Sequence, residues 1–258
     1  QERGEDQFHG TGGPLSVSDL RYRNPLSLMF MEAARQLGLP ANDDFNGASQ
    51  EGVGFYQLTQ REARRCSAAA AYLAPVRDRA NLAVVTRAQV EKIVIDGKRA
   101  VGVQYNIGNR KVTVSANREV LLSAGALQSP QLLMLSGIGP AAHLNEHGIE
   151  VVHDAPGVGD NLQDHFDYTV IRRVRSSAAM GYTLSRALRA LPDYLRYMRK
   201  EGPFTSNLAE AGGFLRTSDD ETEPDIQLHF VPGIVDDHGR KKHFVAGISC
   251  HVCVLRPW

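Results

Sequence analysis

The chain has 258 residues, 42% of them hydrophobic and 22% charged, and its 29 basic and 29 acidic side chains cancel. That balance is ordinary for folded protein and gives no pull toward nucleic acid. No apolar run reaches the roughly 18 residues of a membrane-spanning helix, and the start Gln1-Glu2-Arg3-Gly4-Glu5-Asp6 is too polar for a signal peptide.

At this length the chain can hold parts of two domains. Three cysteines are too few for a disulfide framework, so reduced thiols and an intracellular setting, cytoplasmic or peripheral to a membrane, are expected. From 24 to 37, apolar residues recur at helical spacing and Gly38-Leu39-Pro40 ends the run, which predicts an amphipathic helix with its Met and Phe residues in the core. Asp43-Asp44-Phe45-Asn46-Gly47 reads as a turn whose carboxylates are solvated. Arg64-Arg65-Cys66-Ser67 is expected to open an alanine-rich helix running to Leu73, with Arg61, Arg64 and Arg65 either a solvated face or a phosphate contact.

Residues 81–123 carry closely spaced strand signals at 82–86, 90–95, 100–105, 111–115 and 119–123, with turns at Asp96-Gly97 and Gly108-Asn109, the pattern of a meander. The last strand signal runs into GALQSPQLLMLSGIG at 125–139. There a glycine joins a strand to a helix that Ser129 would cap and Pro130 would open, and bare amides at such a junction suit an anion. A short helix over 141–147 places His143 and His147 four residues apart, a spacing open to metal, but with no third ligand nearby they read as exposed histidines. Helical periodicity over 184–198 is interrupted by Pro192, and 209–217, 225–232 and 244–255 read as strands of an antiparallel sheet. On the last strand, Cys250-His251-Val252-Cys253 resembles a ligand cluster, yet alternation sends the two thiols to opposite faces. No metal site is therefore expected.

The wording of these segments is more specific than their periodicity. The run at 125–139 is followed by PGVGDNLQDH at 156–165, and preceded by HGTGGPLSV at 9–17, NDDFNGASQEGVG at 42–54, RRCSAAAAYL at 64–73 and NLAVVTRAQV at 81–90. EAGGF at 210–214 and PDIQLHF at 224–230 complete the set. Together they resemble the glucose-methanol-choline flavoprotein oxidoreductases, in the branch of choline and primary-alcohol dehydrogenases.

The resemblance implies a mixed α+β and α/β fold: part of an FAD-binding domain with its β-meander, and part of a substrate domain with an antiparallel sheet and helices. It assigns 1–61 and 166–258 to the substrate domain and 62–165 to the FAD domain. The cofactor is then FAD, with Val90 against the adenine and Ser123, Ala124 and Gly125 close to the dinucleotide; the substrate is a small-molecule alcohol. Glu210 is the charged residue expected at the substrate cavity, facing a cationic headgroup, a local donor or Arg216.

Three departures stand out. No Gly-x-Gly-x-x-Gly loop follows a strand here, since Gly157-Val158-Gly159 lacks the third glycine and reads as a loop. The family's catalytic histidine belongs to a later section, so no catalytic residue can be placed, and His165 and His251 are not substitutes. Ala70 also stands where the family commonly has arginine. The expectation is an internal segment of an FAD-dependent enzyme oxidising CH–OH groups, inactive by itself, the other possibility being a scaffold that keeps the fold without the chemistry. A serine hydrolase has no Gly-x-Ser-x-Gly to support it.

Overall fold

Asn24 opens helix α1 (Pro25–Gln36): its side chain accepts the Leu26 amide at 2.9 Å, and Pro25 needs no donor in the first turn. The computed structural model describes residues 1–182, 188 and 190–257. In it the helix buries Leu26, Ser27 and Ala34, and Phe30 stacks on Phe230 with centroids 4.7 Å apart. Met29 is 66% exposed and Leu28 49%, so the apolar stripe is narrower than its periodicity suggests. Beyond α1 come β1 (Gly52–Phe55) and a hairpin of β2 (Gln60–Arg61) and β3 (Arg64–Arg65). The expected helix from 64 shrinks to a single π-type turn, Ala69–Leu73. Pairing of Gln60 with Arg65 claims the two arginines for the hairpin, and the Cys66 amide extends it by donating to the Thr59 carbonyl at 2.9 Å.

The chain divides into two compact units, an outer one made of Gln1–Arg79 with His165–Trp258 and a central one, Ala80–Asp164. The central unit lies within the expected 62–165 segment and leaves 62–79 with the outer unit. Its antiparallel meander is β4 (Gln89–Asp96), β5 (Arg99–Ile107) and β6 (Arg110–Ser115), joined by two-residue turns at Gly97-Lys98 and Gly108-Asn109. The pairing of β4 with β5 shifts register between Val90 and Lys92, which makes Glu91 a bulge.

The strands expected at 82–86 and 119–123 do not form. Apolar, β-branched composition suits a strand, but a strand exists only where a neighbour completes its ladder, and no described strand lies beside either run. Leu121 is 80% exposed as a result. Helix α2 (Gly125–Leu135) starts four residues before the expected cap, and Pro130 sits inside it. Ser129 does not cap the next turn; its hydroxyl accepts the Ala124 amide at 3.0 Å. At the other end, Ser136 Oγ accepts the Ile93 amide at 2.8 Å and donates to the Leu132 carbonyl, fastening α2 to β4. A small parallel pair, β7 (Ile138–Gly139) and β8 (His153–Asp154), brackets α3 (Ala141–Glu146), whose Leu144 is wholly buried.

The chain then returns to the outer unit with β9 (Asp167–Arg173), α4 (Ala190–Met198), β10 (Ala211–Leu215), β11 (Ile226–Val231) and β12 (Gly247–Val254). The expected helix over 184–198 includes residues 184–187 and 189, which lie outside those described; Pro192 is within α4 and does not break it. All pairings in the five-stranded sheet β1-β10-β11-β12-β9 are antiparallel. Val53, Ala211, Phe230 and Cys250 share the face with Phe30 of α1, whereas Gln227, His229, His251, Cys253, Thr169 and Asp167 alternate onto the other. Gly212 is where Tyr56 crosses this second face: a Cβ there would overlap the Tyr56 hydroxyl and the Leu228 carbonyl.

Candidate functional site

Glu210, expected at a substrate cavity, has no exposed surface. One carboxylate oxygen accepts the Asn24 amide at 2.6 Å and the Ser27 hydroxyl at 2.9 Å; the other accepts the Ser206 hydroxyl at 2.6 Å. The charge therefore rests at the N-terminus of α1, where helix amides favour an anion, and its donors are local. Arg216, the salt-bridge alternative, pairs instead with Glu51 at 3.1 Å.

The four residues expected near a dinucleotide lie in the central unit. Val90 is half-buried on β4, an edge strand of the meander, next to the Glu91 bulge. Ser123 and Gly125 are exposed and Ala124 half-buried, and no side chain caps α2. Gly125 has φ +89°, a conformation natural to glycine, with nothing within 4 Å of where a Cβ would stand. The observed fastening of α2 to β4 is at Ser136 and Ile93, so Gly125 stands about 16 Å away along an 11-residue helix.

On the polar face of the large sheet, His251 Nδ1 lies 2.7 Å from Asp167 Oδ2 and Nε2 lies 3.4 Å from Ser249 Oγ. A Ser, His and Asp in line suggest nucleophilic chemistry, but Ser249 is completely buried and its hydroxyl donates to the Gly233 carbonyl at 3.1 Å. The line is structural. Beside it, burial and the neighbouring His251 hold the His229 imidazole below the usual histidine range, against an opposing pull from Asp167. Burial, then Asp167, pushes the Cys253 thiol up to about 11, and the same causes raise Cys250. Both stay protonated at neutral pH, poor ligands and poor nucleophiles. His143 and His147 pack ring to ring at 4.7 Å. Among the described residues no group of three His, Cys, Asp or Glu side chains is placed to hold a metal.

Two of the concavities in the outer unit carry cationic side chains. One, of about 490 Å³, is lined by Arg61, Arg64, Arg65 and Lys200 among others, with Lys200 paired to Glu62 at 2.8 Å. The other, of about 530 Å³, opens between 180–182, 203–208 and 231–243. Sequence reasoning missed this second cavity and the donors of Glu210. Neither has a short-range signal, unlike the period-two alternation that sends Cys250 and Cys253 to opposite faces.

The description GMC oxidoreductase matches residues 2–167. With this fold, that match settles the class: the chain belongs to the GMC oxidoreductase family. Among curated proteins it is 46% identical over 256 residues to an alcohol dehydrogenase [acceptor] of Pseudomonas putida, covering 98% of this chain and 46% of that one. An oxygen-dependent choline dehydrogenase of Brucella ovis is 41% identical over 253 residues, again 98% and 46%. Of solved structures, a pyridoxine 4-oxidase from Mesorbium loti superposes with a TM-score of 0.77 at 29% identity, over 96% of this chain and 45% of that one. A formate oxidase gives 0.80 at 23% identity over 96% and 48%, a likeness of fold. The chain spans about half the length of the curated relatives it matches. No described helix is long and apolar enough to cross a membrane.

Proposed function

We propose that this chain is the adenine-side and substrate-side portion of an FAD-dependent oxidoreductase that oxidises the CH–OH group of a small-molecule alcohol. The observation that carries this is end-to-end similarity, over 98% of the chain, to an alcohol dehydrogenase and a choline dehydrogenase. The central unit, which falls inside the expected 62–165, is read as the cofactor side, and the outer unit as the substrate side.

The residues fit a dinucleotide. β4 is an edge strand, so the Val90 backbone, paired on one side with Tyr105 and followed by the Glu91 bulge, has a side without a strand partner. The Ala124 amide is taken by Ser129, but at Gly125, with φ +89° and nothing within 4 Å of where a Cβ would stand, an anion can approach the helix start without meeting a side chain. Val90 would meet the adenine, and Ser123, Ala124 and Gly125 would lie along the chain of the cofactor. Bound there, FAD would supply the hydride acceptor for alcohol oxidation. The chain's own part is to bind and orient; no residue of it is assigned the proton. The free cysteines suit a reducing, intracellular setting, cytoplasmic or peripheral to a membrane. The electron acceptor is left open.

The test is anaerobic mixing of a primary alcohol with a flavin-loaded protein of family length that carries this segment. Bleaching of the flavin's visible absorbance is expected. A flavin that binds and is not reduced by any alcohol would support the scaffold reading instead. The 258-residue chain alone is expected to give no dye-coupled turnover of choline or a primary alcohol.

A further inference from the structure

The 530 Å³ cavity of the outer unit speaks to which alcohol is taken, an inference that rests on the alcohol-oxidising reading above. Met180, Phe204, Leu208, Val231 and Ile234 give it an apolar wall. Lys241, Lys242 and His243 lie on its rim, and no carboxylate lines it among the described residues. Of the two acids of the same loop, Asp237 pairs with Arg240 at 2.7 Å, and Asp236 is consumed: its Oδ2 receives His243 Nε2 at 2.8 Å and Lys241 Nζ at 3.2 Å, contacts that hold its carboxyl below the usual range. Glu210, two residues beyond Leu208 in sequence, is buried and held by three donors.

A quaternary ammonium group is recognised by an aromatic face, by a carboxylate, or by both. Here the face of Tyr182 already carries the chain's own cation, with Lys242 Nζ 5.7 Å from the ring centroid, and that ammonium has no ion-pair partner among the described residues. A cationic alcohol entering the cavity would meet the Lys242 ammonium, with no carboxylate on the lining to compensate it. An apolar body, by contrast, would exchange water for the wall of the cavity, whose volume lies in the range of small-molecule sites. We infer that this cavity holds the apolar body of an uncharged primary alcohol and that choline-like alcohols are excluded from it.

Binding to the 258-residue chain tests this with three probes of equal length: octan-1-ol, octanoate and octyltrimethylammonium, followed by titration calorimetry. The expected result is saturable binding of the first two, with octanoate no weaker than octan-1-ol, and at least tenfold weaker binding of the third. Lys242→Glu should bring octyltrimethylammonium to within threefold of octan-1-ol. Leu208→Asn, which keeps a residue tolerant of the φ of +72° at that position, should weaken octan-1-ol at least fivefold with the melting temperature unchanged. Octyltrimethylammonium binding as tightly as octan-1-ol, or no saturable binding of any probe, would overturn the inference.

Turnover by the flavin-loaded protein of family length separates the two readings. If choline is oxidised with a kcat/KM at or above that for octan-1-ol, the cavity inference falls and alcohol oxidation stands. If the binding order holds and no alcohol is oxidised, alcohol oxidation falls and the preference of the cavity stands.

Discussion

The outer and central units solve the same problem, burying β-strands, with different completeness. In the outer unit one face of the sheet is closed by α1, and Val53, Ala211, Phe230, Ser249 and Glu210 are all within the core. In the central unit the buried apolar side chains are Ile93, Leu132 and Leu144, while Val84, Val85, Val114, Leu121 and Leu127 are between 46% and 80% exposed. The lesson is that strand-like sequence does not make a strand without a neighbour. Of residues 120–124, Val120, Leu122 and Ala124 are only half-buried, and Leu121 and Ser123 are exposed.

Substitutions can break or sharpen that contrast. The largest effect is expected at Glu210→Ala, which leaves the Asn24 amide and the Ser27 and Ser206 hydroxyls facing a void. A loss of about 4 kcal/mol should appear in denaturant unfolding of the outer unit, with amide exchange in β4–β6 unchanged. Equal loosening of the meander would show that the units do not behave separately. Gly212→Ala comes next, at about 2–3 kcal/mol from overlap with Tyr56 and Leu228. Its counterpart Gly125→Ala, where only the positive φ is at stake, should cost about 1 kcal/mol. Comparing the two melting shifts measures tight packing against local strain. In a protein of family length, Gly125→Val should lose flavin beyond what that loss of stability explains, read as the flavin-to-protein absorbance ratio.

Ser136→Ala should cost about 1 kcal/mol, confined to the central unit, because it leaves the Ile93 amide unsatisfied; exchange at that amide is the readout. The smallest effect is a pH dependence at His229. Its folded pKa lies below the ordinary 6.5, so the folded state favours the neutral ring. That stability is fully present above 6.5 and is lost as pH falls through the lower folded value. His229→Gln should therefore flatten the decline of stability on the acid side of 6.5, and an unchanged slope would assign the decline to other groups.

The same contrast explains what was legible in the sequence. Asn24-Pro25, the two-residue turns and the alternating runs of β11 and β12 are set by adjacent residues, and their elements formed within a few positions of the expected bounds. Glu210 was visible as a charge, but its role depends on Asn24 and Ser27, more than 180 residues away, which no local pattern encodes. The capping roles of Ser129 and Pro130 were misjudged because their chemistry suits a helix start, while the backbone began its helix at Gly125. Val90 and 123–125 owe their assignment to resemblance, since their side chains carry no distinguishing chemistry.

The bond from the Asn24 amide to Glu210 spans 186 positions of chain. On a ribosome adding roughly 5–20 residues per second, the partner of that amide emerges about 10–40 s after it. Until then α1 has no anion at its head and no sheet to lie on, while every strand of the central unit has already been made. The order of birth therefore favours the inserted unit folding first and the outer unit closing last, with its opening helix waiting for its closing strands.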